Sequence, residues 1–595
     1  MQTARIPCMA ALTFLGLIAG AAADVDRSPC AIAVNAGRTH GLATNRTSGT
    51  VTLVDLSANT IASELSVGSG PVDVAWIDNR TAVVALQNDD AVALISMSGG
   101  QLSVIRKIDV SDEPRSVALS KDARTLYVAL AGDDAVAVLD LAMLDKSPAK
   151  LSTPGIPASV RVSPDGRWLV TCACVPATVY VHDTETRQLV SERRLFDGAF
   201  NPGIPAITAD SQLVVVPHAV NREFSVTPQM IDIGWVIDNR ISKLPLPDGE
   251  PSSQKQLGLD IRGQAVGDAY AAVFNSDESR LIVTCGGTHE LLVIDFPSIP
   301  WPKGDPGDFL PAPMQKDKSK FRRIKLGGRP LGIALVDDKT ALVANSLLNA
   351  LQVIDIDHGQ VTGTIFLGGP AEPSLARQGE AIFYDADRSM HSWFSCHTCH
   401  PDGHTAGQVF DTRNDRSYGT PKLTPSLRAV AATGPWTWHG WQTDLHDAMK
   451  RSLSESMATK HAITDDDATA LVAYLKTLDH PVNPRTSSGD AVLSRKQELG
   501  RNLFTGRAGC SNCHSGSQFT SDETYDGKVE DRKDRDSKYN PPTLRGVSSR
   551  RRFLHTGKAR SLEAVLTKYH RPEDLVGESL NDEERDAIIE YLKSL

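Results

Sequence analysis

Ser395–Gly403 reads SCHTCHPDG, and further along the chain Gly509–Gly516 reads GCSNCHSG. Each holds the pattern Cys-x-x-Cys-His: Cys396, Cys399 and His400, then Cys510, Cys513 and His514. Two thioether bonds to one porphyrin need thiols about one helical turn apart, and the histidine next in line then points at the iron. The spacing is therefore an attachment device for haem c. A zinc or dithiol-redox Cys-x-x-Cys is the competing reading, and it sits poorly with a secretory leader. Two covalently bound haem c groups are expected, with His400 and His514 as proximal iron ligands.

Residues 1–23 have the features of that leader. Arg5 marks the charged start, Met9–Gly20 is an apolar run too short to span a bilayer, and Ala21-Ala22-Ala23 offers a cleavage site before Asp24. No later segment has the roughly 20 consecutive apolar residues of a transmembrane helix, so a periplasmic protein without a membrane span is expected. A formal charge of −10 argues against nucleic acid as a partner. Of the nine cysteines, Cys8 leaves with the leader and four hold haem. Cys30, Cys172, Cys174 and Cys285 remain and read as buried free thiols, a disulfide being the alternative.

Residues 24–368 repeat a three-strand phrase: a Pro-led strand, a second apolar strand after a polar turn, and a third that ends on Asp. Pro114–Ala118, Thr125–Ala129 and Ala135–Asp140 form one copy; Pro71–Ala75 with Thr81–Ala85, and Pro330–Ala334 with Thr340–Ala344 and Leu351–Asp355, form others. Third strands are expected to close near Asp55, Ser96, Asp140, Asp183, Asp232, Asp295 and Asp355. The first of these lie 41, 44 and 43 residues apart, the period of a four-stranded propeller blade. The spacing predicts an all-β seven-bladed propeller, with Ala219–Asp268 and Pro297–Phe321 as insertions, one of them covering the haem domain. His218 reads as a core or surface histidine rather than a ligand.

Past Leu367–Pro373 the periodicity becomes helical, and two lobes, 374–480 and 488–595, run in parallel. Ala376–Tyr384 leads into the first haem motif and Arg495–Phe504 into the second. Thr424-Pro425-Ser426-Leu427-Arg428 matches Pro541-Pro542-Thr543-Leu544-Arg545, Gly440 matches Gly557, and Asp466–Leu478 matches Glu583–Leu595. An all-α di-haem cytochrome c domain of two tandem lobes should follow the propeller. The charged stretch Asp522–Lys538 reads as a solvated loop.

The propeller repeats resemble the YVTN-type family, with Leu126-Tyr127-Val128-Ala129 at its name motif. The duplicated half resembles the bacterial di-haem cytochrome c peroxidase superfamily, which includes the di-haem enzyme that matures methylamine dehydrogenase. That resemblance implies a peroxidase-like oxidoreductase: H2O2 reacts at the first haem, and electrons come through the second from a small redox protein or an oxidised protein substrate. It places the inter-haem tryptophan at Trp438, the distal carboxylate at Glu455, and the second haem's distal ligand at Tyr569, with His570 beside it. The family histidine that caps the first haem has no counterpart except His404, which follows His400 too closely. The first haem is then open, or capped by His439, His446, Met457 or His461. Leu423 stands where the family's calcium site has Asn, so calcium is not expected. The propeller would serve as a docking platform or lid. The alternative is a non-catalytic di-haem electron-transfer protein with a propeller interaction module.

Overall fold

A computed structural model describes residues 25–595 apart from 251–252, 303, 305, 414–415, 484–492 and 577. The expected leader lies outside the described residues. No helix among those described is long and apolar enough to cross a membrane.

Seven antiparallel sheets follow one another along residues 29–366, each built from consecutive strands. In the third blade Pro114–Leu119, Thr125–Leu130, Ala135–Asp140 and Ala149–Ser152 pair in order. The middle strands of each blade are apolar on both faces because each is packed between neighbouring blades, so they read as continuous runs. The ring closes without an exchanged strand. A Cβ built on Gly332, in the first strand of blade seven, would come within 2.7 Å of Ala31 Cα in blade one. The two inner strands meet backbone to backbone there, and only glycine permits that approach.

The blade count of seven holds, but blade five departs from the expected pattern. Asp232 ends a short helix, Pro228–Asp232, and the third strand of that blade is Ile237–Pro245. Ala219–Asp268 is therefore not one insertion: it contains that strand and the next, Lys255–Gly258, and the added segment is 222–236. A long edge loop with its own helix misleads a reading that counts Asp positions. His218 is a core residue, its Nε2 2.7 Å from Ser242 Oγ and its Nδ1 3.1 Å from the Ala219 carbonyl. Cys30, Cys172, Cys174 and Cys285 are unpaired thiols.

The helical half is built on four main helices: α1 (Leu375–Phe383), α2 (Asp465–Leu475), α3 (Arg495–Thr505) and α4 (Asp582–Lys593). Helix α1 crosses α2, and α3 crosses α4, at equivalent points. A Cβ on Gly379 would lie 1.9 Å from the Ala470 carbonyl oxygen, and one on Gly500 would lie 2.0 Å from that of Ala587. Tyr474 and Tyr591 then close over the two glycines at 2.9 and 2.8 Å. Each helix start is fixed by a side-chain cap, Ser374, Thr464, Ser494 and Asn581 respectively, and the last three are full capping boxes. The duplication seen in the sequence is thus a duplication of packing.

A methyl group at either crossing has nowhere to go, because its nearest neighbour is backbone. Gly379→Ala and Gly500→Ala should each lower unfolding free energy by about 1–3 kcal/mol, read from denaturant midpoints at unchanged slope.

Candidate haem centres

Cys396–Cys399 is a single helical turn that sets the two thiols on one side, and His400 follows as its C-cap, its N–H bonded to the Cys396 carbonyl at 2.9 Å. His514 repeats this with Cys510 at 2.9 Å. The His400 Nδ1–H donates to the Pro425 carbonyl at 2.9 Å, and the His514 Nδ1–H to that of Phe519 at 3.2 Å, with Pro542 also assisting. A carbonyl only accepts, so Nδ1 carries the proton and Nε2 keeps its lone pair, the form an iron ligand needs. Burial pushes both imidazoles down to about 4, so both are neutral at ordinary pH. In the first lobe the proline carbonyl of the Pro-Ser-Leu-Arg segment orients the proximal histidine, and in the second the Phe519 carbonyl does.

Further observations fit haem. Arg428 Nη1, Arg550 Nε and both ring nitrogens of His480 are buried with no hydrogen-bond partner. Burial, then the charge of Arg428, pushes the Arg550 guanidinium down to about 10, and burial likewise lowers Arg428. Arg428 meets Glu113 at 3.4 Å, but its Nη1 and the Arg550 Nε have no acceptor, and porphyrin propionates are carboxylates that would accept from them. The donor set, two thiols and a neutral imidazole per lobe, is that of haem c.

The first motif is fastened by the propeller, the second is not. Ser395 Oγ and Thr398 Oγ1, the capping residues of the Cys396–Cys399 turn, both donate to Asp268 of blade six, each at 2.6 Å. Asn201 of blade five donates to the Thr398 carbonyl at 2.8 Å. Past His400, the Asp402 carboxylate lies 3.3 Å from Arg46 of blade one and 3.6 Å from Arg329 of blade seven, and accepts from Tyr384 at 3.2 Å. Arg329 in turn stacks on the Tyr384 ring at 3.4 Å. Although burial alone would raise it, Arg46, His397, Arg329 and Arg115 hold the Asp402 carboxyl well below the usual carboxylate range. Groups from blades one, three and seven converge on one carboxylate, which puts it near the propeller axis. The other contacts, Glu113–Arg428, Asn221 to the Val409 carbonyl and Ser346–Arg377 among them, come from the same end of their blades. That propeller face is occupied by the chain's own first lobe.

Both added loops of the propeller reach the same lobe. Val226 donates to the Asp411 carbonyl at 2.8 Å, Gly234 packs on Trp393, and Phe309 lies 6.3 Å from Trp393, which is fully buried. The expectation that one insertion covers the haem domain understates the contact, because both do.

Between the lobes, the Trp438 indole N–H donates to the Leu423 carbonyl at 2.8 Å, and its ring meets His555 of the second lobe edge-on at 6.2 Å. Beside it Asp534 is buried, its side chain 3% exposed, and pairs with Lys422 at 2.8 Å, His555 at 2.7 Å and Tyr539 at 2.5 Å. The reading of Asp522–Lys538 as a solvated loop therefore fails at Asp534. A charged residue in a polar run looks solvated unless its partner, here distant Lys422, is known. Sequence reasoning missed Asp534, His555, Tyr539, Asp268 and Asp402 as site residues. Only the position of Asp402, two past His400, could have flagged any of them.

Glu455 lies half-buried on the turn Ser452–Ser456, 3.5 Å from Arg451. Met457 is buried with its sulphur 3.8 Å from Cys396 Sγ. His404 is hydrogen-bonded through both nitrogens, to Ser426 at 2.9 Å and Ser549 at 3.3 Å. His439 stacks on Tyr539 at 4.8 Å, while His446 and His461 contact backbone carbonyls. Tyr569 ends the matching turn Val565–Tyr569, with Lys568 and Lys558 5.0 and 5.5 Å from its ring centre. The adjacent His570 is anchored by Nδ1 to the Gly527 carbonyl at 2.9 Å.

No protein-family profile matches this chain. Two curated proteins do, both named "Methylamine utilization protein MauG". That of Methylorubrum extorquens is 24% identical over 289 residues, covering 38% of this chain and 79% of the relative. That of Methylophilus methylotrophus is 23% identical over 283 residues, covering 38% and 84%. The helical half resembles the di-haem cytochrome c peroxidase superfamily. On this likeness the protein is a peroxidase-like oxidoreductase. Among solved structures, Kuenenia stuttgartiensis hydrazine synthase is 22% identical with a TM-score of 0.49, covering 57% of this chain and 99% of that one. The Neurospora crassa Pan2 WD40 domain is 12% identical with a TM-score of 0.38, covering 55% and 87%. Neither informs the chemistry.

Asp402→Asn keeps the shape and removes the charge, leaving arginines without their counter-ion. It should lower unfolding free energy by about 1–3 kcal/mol, whereas Asp447→Asn, on an exposed helix start, should leave the denaturant midpoint within about 0.5 kcal/mol of wild type.

Proposed function

We propose that this is a periplasmic di-haem c peroxidase. Cys396, Cys399 and His400 would hold the first haem, the proposed site of H2O2 reduction, and Cys510, Cys513 and His514 would hold the second, which would take electrons from a small redox protein or an oxidised protein substrate. Haem supplies the redox-active iron, and the protein supplies its attachment, orientation and proton handling. The observation that carries this reading is Trp438, bonded to the first lobe and in ring contact with the second, where an electron must cross.

The first haem would be the one that binds peroxide, with Met457, buried beside Cys396, the remaining candidate to cap it. His404 has both nitrogens engaged, and His439 is stacked at the lobe interface. Glu455 is the carboxylate assigned to move a proton between the peroxide oxygens, which heterolysis requires. Its contact with Arg451 keeps it oriented on the turn. For the second haem we assign Tyr569 as distal ligand. His570 donates its Nδ1 proton to the Gly527 carbonyl and keeps Nε2 free, as His400 and His514 do, so it is the competing ligand; no hydrogen bond holds the Tyr569 phenol among the described residues. A phenolate oxygen stabilises oxidised iron, where a thioether would favour reduced iron.

The propeller's role follows from its contacts. It is a rigid support for the first haem loop, so the platform expected for a partner is used by the chain itself.

As-isolated protein should give a high-spin ferric EPR signal that changes on adding H2O2. Two low-spin haems inert to peroxide and cyanide would instead favour the electron-transfer reading. Trp438→Phe should slow peroxide turnover at least tenfold with both haems still attached, as stopped-flow spectra would record. Tyr569→Phe should change the second haem's ligand field and raise its potential, while His570→Ala should leave the ligand field unchanged.

A further inference from the structure

The lobe interface holds a tyrosine placed for oxidation. Tyr539 is buried, sandwiched between two imidazoles: His555 stacks on it at 4.5 Å and 29°, and His439 lies at 4.8 Å on a tilted plane. His555 also touches Trp438, and the Asn540 N–H, next to Tyr539, donates to the Trp438 carbonyl at 2.9 Å. The four rings form one continuous contact chain away from Trp438.

The two oxidisable side chains differ in what receives their protons. The Trp438 N–H points at a backbone carbonyl, which is not a base. The Tyr539 hydroxyl points at a carboxylate, Asp534 Oδ2, at 2.5 Å, already held by His555 at 2.7 Å and by the Asp531 N–H at 2.8 Å. Lys422 occupies the other oxygen at 2.8 Å. A phenol that loses an electron becomes a strong acid, so its proton leaves at once if an acceptor is in hydrogen-bond contact. Oxidised indole beside a carbonyl has no such outlet.

We propose that Tyr539, with Asp534 as its proton acceptor, is the relay residue on which an oxidising equivalent leaving Trp438 comes to rest. One electron passes from Tyr539 to the Trp438 cation radical, the phenolic O–H bond breaks, and an O–H bond forms on Asp534. The products are neutral Trp438, a neutral tyrosyl radical and a protonated carboxyl. The oxidant is hydrogen peroxide, of whose two oxidising equivalents this step carries one. The proposal rests on the peroxidase reading for its oxidant and for Trp438 as the side chain oxidised first. Lys422 keeps Asp534 charged beforehand, so the acceptor is ready when the electron leaves.

Holoprotein grown with ring-deuterated tyrosine, and separately with ring-deuterated tryptophan, tests this by EPR. Samples are rapidly frozen after peroxide addition, and after flash oxidation by a photoexcited ruthenium–bipyridyl complex with persulfate, which needs no haem chemistry. A free-radical line that narrows with labelled tyrosine and is lost in Tyr539→Phe at unchanged haem content is the expected result. A line that narrows only with labelled tryptophan, or that survives Tyr539→Phe, overturns the proposal, as does the absence of any tyrosine-centred line under both oxidants. A flash-generated Tyr539 radical in a protein whose haems ignore peroxide upholds it and rejects the peroxidase reading instead. The isotope comparison in the wild-type protein shows whether the radical is a tyrosine at all, and Tyr539→Phe shows which of the ten tyrosines carries it.

Discussion

One carboxylate near the propeller axis organises the molecule. Asp402 is two residues from the first proximal histidine, and arginines from blades at opposite ends of the propeller sequence converge on it. Such a half-buried charge is tolerated only with its counter-charges in place, so its position is specified by the whole ring of blades rather than by any local segment. With Asp268 gripping the other end of the Cys396–Cys399 turn, the loop carrying the haem ligands is fixed at both ends. The propeller therefore acts as a clamp whose geometry is transmitted directly to His400.

The second motif has the same ligands but neither device. Gly509, in a left-handed conformation, stands where the first motif has its Ser395 cap, and Gly516 stands where the first has Asp402. Arg551 of the second lobe reaches Asp134 of the propeller at 2.8 Å. Two centres of identical chemistry are thus held with different rigidity.

Between them, polar groups are buried in a connected set rather than singly. Asp534 meets Lys422, His555 and Tyr539 together, and its carboxyl is held far below the ordinary carboxylate range by those donors. The carboxylate of this network is satisfied on both oxygens, and the network joins residues of both lobes. Leu423, whose carbonyl accepts from the Trp438 indole, donates its own N–H to the His555 carbonyl at 2.6 Å. The tryptophan, the carboxylate and the interface are one unit.

The haem motifs, the seven-fold blade count and the two-fold repeat of the helical half were legible in sequence because each depends on spacing within a short segment. Gly379 and Gly500 could be aligned as letters, yet only their approach to the Ala470 and Ala587 carbonyls explains why they are glycines. Blade five misled because its strands are separated by a helix that local pattern cannot tell from a break. Asp402, Asp268 and Asp534 looked like ordinary surface acids, since a carboxylate's burial is decided by partners far away in the chain. The sequence by itself determined where the Cys-x-x-Cys-His motif stands and that it occurs twice. Tertiary structure alone decided which motif is clamped, which charges are buried and which rings touch, because those depend on long-range contacts that spacing does not encode.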